Sequence, residues 1–408
     1  MIGRVDCRNF RLFRDVSVKT GAFQLLVGPN GSGKSSFLDV INLLGDLLRV
    51  GLPSAILGDS LLGIRSRVSD PLHLCFQRRG PEFDLGVELK LPPALASEAH
   101  DHVRYAIKIS VDGGKASEVR VEEEQLVLLP RERPKGIVRL LNSAGAKPGR
   151  LVLQKARTEQ VDKYFAETGD WQETLRIPSL RLALAGLPED EKRFPVASWV
   201  RHMLLEGRER IALDPDAMRR PSPPGRSMRL SPDGSSLPWL LAKARQQQPD
   251  VFARFTAHIR TALPELVDIS TVERPEDRHC YLTILYSGGT CVPSWELSSG
   301  TLRLLALTAL GYFPAPGGVY LLESPENGIY PRAIETVYQA LSTMDGAQLL
   351  CTTYSPILLS LARREDIVCF RKAGDGSAVV IPGVDHPALA PALRSADLGT
   401  LFAAGVLE

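Results

Sequence analysis

Apolar positions along the chain change period several times, and each change marks an element. Phe23 to Val27 is a short apolar run bounded by Gly28, and Phe37, Leu38, Val40, Ile41, Leu44, Leu47 and Leu48 then recur at helical spacing as far as Gly51. This predicts a strand, a glycine-rich loop over 28–35, and a helix with Gly51 as C-cap. From about 71 to 127 the text reads as short strands, with Glu82 to Lys90 alternating and Asp112-Gly113-Gly114 marking a hairpin turn. An antiparallel β section is expected there. Between about 150 and 265 the pattern is helical in patches: Ser198 to Leu205 closed by Gly207, and Val251, Phe252, Phe255, Ile259 and Leu263 on one face. A Pro/Arg/Ser/Gly-rich loop at 219–235 interrupts it, and no heptad pattern is sustained. From about 281, Val319 to Leu322, Gln348 to Thr352 and Ile367 to Phe370 are buried-strand candidates between amphipathic segments, the rhythm of a parallel α/β sheet.

The chain has 408 residues, enough for more than one core or one core with a large insertion. Hydrophobic residues at 44% and charged residues at 24% exclude a disordered, collagenous or coiled-coil-dominated chain. Forty-nine Lys and Arg against 47 Asp and Glu leave +2, so any basic surface must be local. Its candidates are 131–139, 147–157 and 219–229, which read either as tracks for a nucleic-acid backbone or as solvated loops. Cys7, Cys75, Cys280, Cys291, Cys351 and Cys369 are scattered without a C-x-x-C pair, and the seven His show no ligand spacing. Neither a zinc site nor a disulfide framework is suggested. The apolar stretch Leu302 to Phe313 is too short and polar to span a bilayer, and Met1 to Arg14 carries Arg without an apolar core. A soluble protein of the reducing cytoplasm, with no membrane partner, is therefore expected.

The segment Gly28-Pro29-Asn30-Gly31-Ser32-Gly33-Lys34-Ser35, followed by Ser36, matches G-x-x-x-x-G-K-[ST] between a strand and a helix. Glycines let backbone N–H groups turn toward phosphate oxygens, and the helix N-terminus adds positive potential. Lys34 would reach the β- and γ-phosphates of ATP and the Ser35 hydroxyl would bind Mg²⁺. Glu323, ending the buried strand of Leu321-Leu322-Glu323, is the candidate second Mg²⁺ partner, against a reading as a solvated strand cap. Leu297-Ser298-Ser299-Gly300-Thr301 opens another helical run, either as a second anion site or as an N-capped core helix.

These segments in this order, with the opening Asn9-Phe10-Arg11-Leu12-Phe13, resemble the ABC-class ATPase heads of the RecF/SMC-like superfamily, and more closely the predicted ATPases related to the overcoming-lysogenisation-defect (OLD) family. The resemblance takes in Leu230 to Leu237 as the lead into inserted helices, Leu297 to Leu307 as signature, Glu323 to Pro331 as Walker B and D-loop, and Thr352 to Pro356 as switch loop. It implies an α/β P-loop NTPase fold, an ABC-type head with an N-terminal antiparallel β section and a helical insertion. Divided accordingly, 1–150 is the N-terminal ATPase lobe, 151–280 a lid-like helical insertion and 281–408 the C-terminal lobe. It further implies a homodimer around ATP, or a higher homo-oligomer, with Ser298, Ser299 and Gly300 of one protomer reaching the nucleotide of the other. After the Walker B segment too little chain remains for a nuclease module, so nuclease action is expected to need a separate effector protein.

The chain departs from the family's pattern at three positions. Ser324 stands where a second carboxylate orients the attacking water, Tyr354 replaces the switch histidine, and Tyr330 replaces the histidine of Asn-Gly-Ile-His-Pro. A hydroxyl cannot take up a proton as a carboxylate does, and Tyr is not a cation near neutral pH. Slow hydrolysis is implied; Glu326 is either a partial substitute or a structural carboxylate of the Pro-Glu-Asn turn. Gln77 is a candidate Mg²⁺ and water sensor or an ordinary strand-end residue, and Phe13 either stacks on adenine, as the early aromatic does in similar heads, or belongs to the core. Two functions stay open: an ATPase coupled to DNA-linked work in repair or phage defence, and a weakly hydrolysing, nucleotide-gated scaffold controlling a separate nuclease or toxin.

Overall fold

A computed structural model describes residues 1–62, 64–111, 119–131, 149–156, 161–225, 229–389 and 397–407. The expected hairpin turn at 112–114 lies outside that set, as do 132–139, 147, 148, 157 and 226–228 of the basic segments. The chain divides into two compact units. The first holds Met1–Gly21, Pro29–Arg208 and Phe370–Ile381; the second holds Ala22–Gly28, Glu209–Cys369 and Pro382–Glu408.

The chain opens with β1 (Ile2–Phe10), β2 (Phe13–Lys19) and β3 (Phe23–Val27), then enters α1 (Lys34–Val50) and the short α2 (Leu52–Leu57). The predicted strand, loop and helix stand as read, including Gly51 at the C-cap, whose N–H bonds the Leu47 carbonyl. There follow β4 (Glu82–Lys90), β5 (His100–Val111), β6 (Val119–Pro130), β7 (Arg150–Ala156), β8 (Asp162–Phe165), β9 (Gln172–Leu175) and α3 (Pro195–Leu205). In the first unit these strands form an eight-stranded sheet in the order β2-β1-β4-β5-β6-β7-β8-β9. Every neighbouring pair in it is antiparallel.

Two expectations are corrected here. The stretch from 151, read as a helical insertion, opens with β7, β8 and β9 extending the sheet, because Leu151, Val152 and Leu153 complete its apolar face before any helical period begins. The strand reading of Leu72 to Phe76 gives way to two 3-10 turns, Pro71–Leu74 and Phe76–Arg78, the first capped by the Asp70 side chain. The alternation of Glu82 to Lys90 also signals one wet face, yet every residue from Phe83 to Leu89 is buried. Its polar positions are accommodated by charge: Arg4 reaches Glu88 at 4.0 Å, and on the neighbouring strands Arg104 donates to Asp6 at 2.8 Å. Burial pushes the Asp84 carboxyl up to about 6.

A deeper acid sits on β6. Glu124 is fully buried and accepts from the Tyr105 hydroxyl at 2.9 Å and from the Leu184 and Ala183 N–H groups at 2.8 and 2.5 Å. It thereby pins the 3-10 turn Ala183–Gly186 to the sheet, and burial pushes its carboxyl up to about 7.

The second unit continues through β10 (Arg208–Ile211), α4 (Pro215–Arg219), α5 (Leu237–Gln247), α6 (Pro249–Ala262), β11 (Leu266–Glu273), β12 (Cys280–Tyr286) and β13 (Cys291–Pro293). After these come α7 (Ser299–Tyr312), β14 (Val319–Glu323), α8 (Ile334–Ser342), β15 (Gln348–Thr352), α9 (Pro356–Ser360) and β16 (Ile367–Lys372); the end of β16 and β17 (Ala378–Pro382) as far as Ile381 fall in the first unit, and α10 (Leu398–Ala403) returns to the second. The six-stranded main sheet has the order β10-β14-β15-β3-β16-β17, with β14, β15, β3 and β16 parallel as the buried apolar runs predicted. The strands β11, β12 and β13 form a small antiparallel sheet against α5 and α6. The core gathers Leu25 and Val27 of β3, Leu305 and Leu307 of α7, Leu349 of β15 and Phe255 of α6. No helix among the described residues is long and apolar enough to cross a membrane.

Candidate functional site

The loop Gly28–Ser35 begins where β3 ends, and the chain passes from the second unit to the first between Gly28 and Pro29. Gly31 and Gly33 take φ of 72° and 110°, the left-handed region that favours glycine. A Cβ on Gly33 would also meet the Phe13 ring at 3.1 Å. Gly33 caps α1 without a side-chain acceptor, and the first turn carries no acid. The first N–H groups of that helix therefore face outward with the positive end of its dipole, the arrangement that receives an anion. Lys34 is buried and folds back so that Nζ donates to the Pro29 carbonyl at 2.8 Å. Asn30, Gly31 and Ser35 are exposed, Ser36 half-buried, and Ser32 buried.

Two flanking candidates resolve differently from their functional readings. Phe13 is fully buried beneath Gly33, so no face is open to a base and it belongs to the core. Gln77 is not at a strand end: it sits in a 3-10 turn with φ of 52°, and its Nε2 donates to the Asp375 carbonyl at 2.5 Å.

In the second unit Glu323 ends β14 opposite Thr352 of β15. Arg210 of β10 donates to its Oε1 at 2.7 Å. Ser324 follows with φ of 47°, strained for a residue other than glycine, and its N–H bonds the Thr352 carbonyl at 2.9 Å. Glu326 accepts at Oε1 from the Thr353 hydroxyl at 2.9 Å and the Tyr354 N–H at 2.7 Å, while its buried Oε2 has no partner among the described residues. The sequence left Glu326 between two roles; the geometry makes it the anchor of the turn at Thr353 and Tyr354. The Tyr354 ring is partly exposed, and burial, then the Glu323 and Glu326 carboxylates, hold its phenol above its ordinary range.

Ser298 is the N-cap of α7, its Oγ accepting from the Thr301 N–H at 3.1 Å. Ser299 Oγ accepts from Arg219 at 2.9 Å, and the same guanidinium donates to the Leu297 carbonyl at 3.3 Å. Gly300 is half-buried against the turn after Glu323, where a Cβ would lie 2.8 Å from the Gly328 carbonyl oxygen. Replacement by alanine is therefore expected to cost about 1–3 kcal/mol as that turn is pushed aside. Chemical denaturation of Gly300→Ala checks it; wild-type stability would show that the turn yields freely.

Asn30 to Ser36, Phe13 and Gln77 thus lie in the first unit, and Glu323, Ser324, Tyr354, Ser298, Ser299 and Gly300 in the second. Arg210 escaped the sequence reading and Arg219 entered it only as part of a basic segment, because an arginine far from any motif carries no spacing signal for its partner. Among the described residues no group of three His, Cys, Asp or Glu could hold a metal ion. A divalent cation at the phosphate loop would depend on single groups such as Ser35 together with phosphate oxygens.

Comparison with curated proteins gives no match. Among solved structures, the chain is similar to an Smc head bound to the C-winged helix domain of ScpA, with 14% identity, TM-score 0.53, and coverage of 93% of this chain and 96% of that one. It is also similar to an Smc head domain with an extended coiled coil, bound to the C-terminal domain of ScpA derived from Pyrococcus furiosus, with 12% identity, TM-score 0.50, and coverage of 93% and 95%. At these identities the likeness shows the fold alone, an α/β P-loop NTPase head carrying a large antiparallel sheet. The family described as "AAA domain, putative AbiEii toxin, Type IV TA system" matches residues 152–360, a span that takes in the signature and Glu323 and leaves out the phosphate loop. That span is just over half of the 408 residues, and the chain belongs to this AAA family.

Proposed function

We propose that this protein is a nucleotide-gated switch of the OLD-like kind: it binds ATP with Mg²⁺, associates with a second copy in the ATP state, hydrolyses slowly and controls a separate effector. The observation that carries the reading is the phosphate loop, with Gly31 and Gly33 in left-handed conformations and the uncapped start of α1 behind them. Lys34 and the loop N–H groups would hold the phosphates and Ser35 would serve the cation, with Glu323 the further acid that the family resemblance implies. Bound Mg²⁺ would supply charge neutralisation between phosphate oxygens.

Slow turnover is favoured by what surrounds Glu323. Ser324 offers no carboxylate, and Glu326 is committed to Thr353 and Tyr354. DNA-linked work is the second reading. Four described cations of the basic segments count against it: Arg131, Arg150 and Lys155 donate to Ser97, Ala166 and Ile177 carbonyls, and Arg219 donates to Ser299. The family's description as a putative AbiEii toxin of a Type IV TA system agrees with a switch that works beside a partner protein.

Steady-state hydrolysis with and without duplex DNA, an ATP titration and a mass measurement in one buffer test the reading. Tight binding and ATP-driven dimers with little turnover support it, whereas DNA-stimulated turnover would restore the second. Ser324→Glu is expected to raise turnover about tenfold or more if this position orients water, since a positioned base contributes roughly 10²–10⁴-fold. An unchanged rate would remove Ser324 from that role.

A further inference from the structure

The hairpin that ends the first unit bears on the phosphate loop through a residue no motif marks. In β16 the parallel register Ile367↔Leu25, Val368↔Leu26 and Cys369↔Val27 runs alongside β3 and continues past its C-terminal end. Lys372, three residues beyond Cys369, therefore leaves the sheet level with the loop that follows Val27. Its ammonium does lean onto that loop: a Cβ placed on Gly31 would lie 4.0 Å from Lys372 Nζ. Ligands of α/β sheets gather outside the carboxyl ends of the strands, the edge on which this side chain sits.

The position is fixed from both flanks. The turn closes with Ala373 N–H donating to the Ser377 carbonyl at 2.8 Å. Ala378 N–H donates to the Leu12 carbonyl at 2.7 Å, and Gln77 Nε2 holds the Asp375 carbonyl. The nearest acid in sequence, Asp375, pairs with Arg14 at 3.4 Å. No acidic side chain among the described residues pairs with Lys372, which is exposed. A cation held beside a phosphate loop without a counter-ion is complementary to an anion arriving there.

We infer that Lys372 is a second phosphate-binding cation of the nucleotide site, held over Gly31 by the β16–β17 hairpin. The inference rests on the ATP-binding reading and adds a second cation to Lys34. The hairpin makes Lys372 part of the site from the far end of the chain, 341 positions after Gly31.

The test titrates ATP into the wild-type chain, Lys372→Ala, Lys372→Arg and Lys34→Ala at two salt concentrations, with thermal melting of each protein without nucleotide. A charge-assisted contact to phosphate predicts about tenfold or greater loss of ATP affinity for Lys372→Ala, near-wild-type affinity for Lys372→Arg and a shallower salt dependence for the alanine variant. Melting without nucleotide should not change. Wild-type affinity in Lys372→Ala, with Lys34→Ala inactive, would overturn the inference and leave the ATP-binding reading standing. Equal losses in both Lys372 variants with lowered melting would make the residue structural and overturn it as well. No ATP binding by the wild-type chain would overturn the reading and the inference together.

Discussion

Lys34→Ala is expected to lower ATP affinity by at least about a hundredfold and to abolish ATP-driven association at the same concentrations. With phosphate bound the ammonium would make charge-assisted contacts worth about 1.5–3 kcal/mol each, and every 1.4 kcal/mol is roughly tenfold in affinity. Two phosphate contacts therefore suffice for the predicted loss. Because Lys34 is buried and bonds the Pro29 carbonyl, its removal also loosens the loop, so the variant's melting must be measured beside its titration. Wild-type affinity in a folded Lys34→Ala protein would remove the phosphate-loop assignment.

The second large effect concerns stability and pH. Glu124 ionises near pH 7 in the folded chain, while in the unfolded chain it would do so near its ordinary 4.5. Below about 4.5 the carboxyl is protonated in both states. As pH rises toward 7 the unfolded state loses its proton first, so stability falls over that window by about 3 kcal/mol and is then level in this contribution. Glu124→Ala is expected to cost about 3–5 kcal/mol, because the Ala183 and Leu184 N–H groups and the Tyr105 hydroxyl lose a buried acceptor. It should also flatten the slope between pH 4.5 and 7. Denaturant midpoints measured across that range decide the matter, and an equal slope in both proteins would place the titration elsewhere.

What the sequence made legible follows from which forces are local. Val27, Lys34 and Gly51 mark the ends of strand, loop and helix because glycine conformations and apolar periods act over a few residues. The buried runs 319–322, 348–352 and 367–370 were legible because a parallel strand covered on both faces has no polar alternation. Long-range partners were not legible. Glu82 to Lys90 alternates in text, yet its polar side is closed by charges from β1 and β5, more than ten residues away in either direction. Phe13 carried the composition of a stacking aromatic, and only its packing against Gly33 assigns it to the core. Leu72 to Phe76 was misread for the same reason, since an apolar run this short does not distinguish a strand from 3-10 turns capped by Asp70. Arg210 on Glu323 and Arg219 on Ser299 pair across more than 75 residues, where no spacing rule operates.

The placement of β3 between β15 and β16 has a consequence for synthesis. Phe23 to Val27 leaves the ribosome early, but its neighbours begin at Gln348 and Ile367. At about 5–20 residues per second, this apolar segment waits on the order of 15–60 s for both of its sheet partners. During that interval two unsatisfied strand edges are open to chaperones or to other nascent chains. Fragments terminated before Gln348 should consequently be aggregation-prone even though they contain every residue of the phosphate loop.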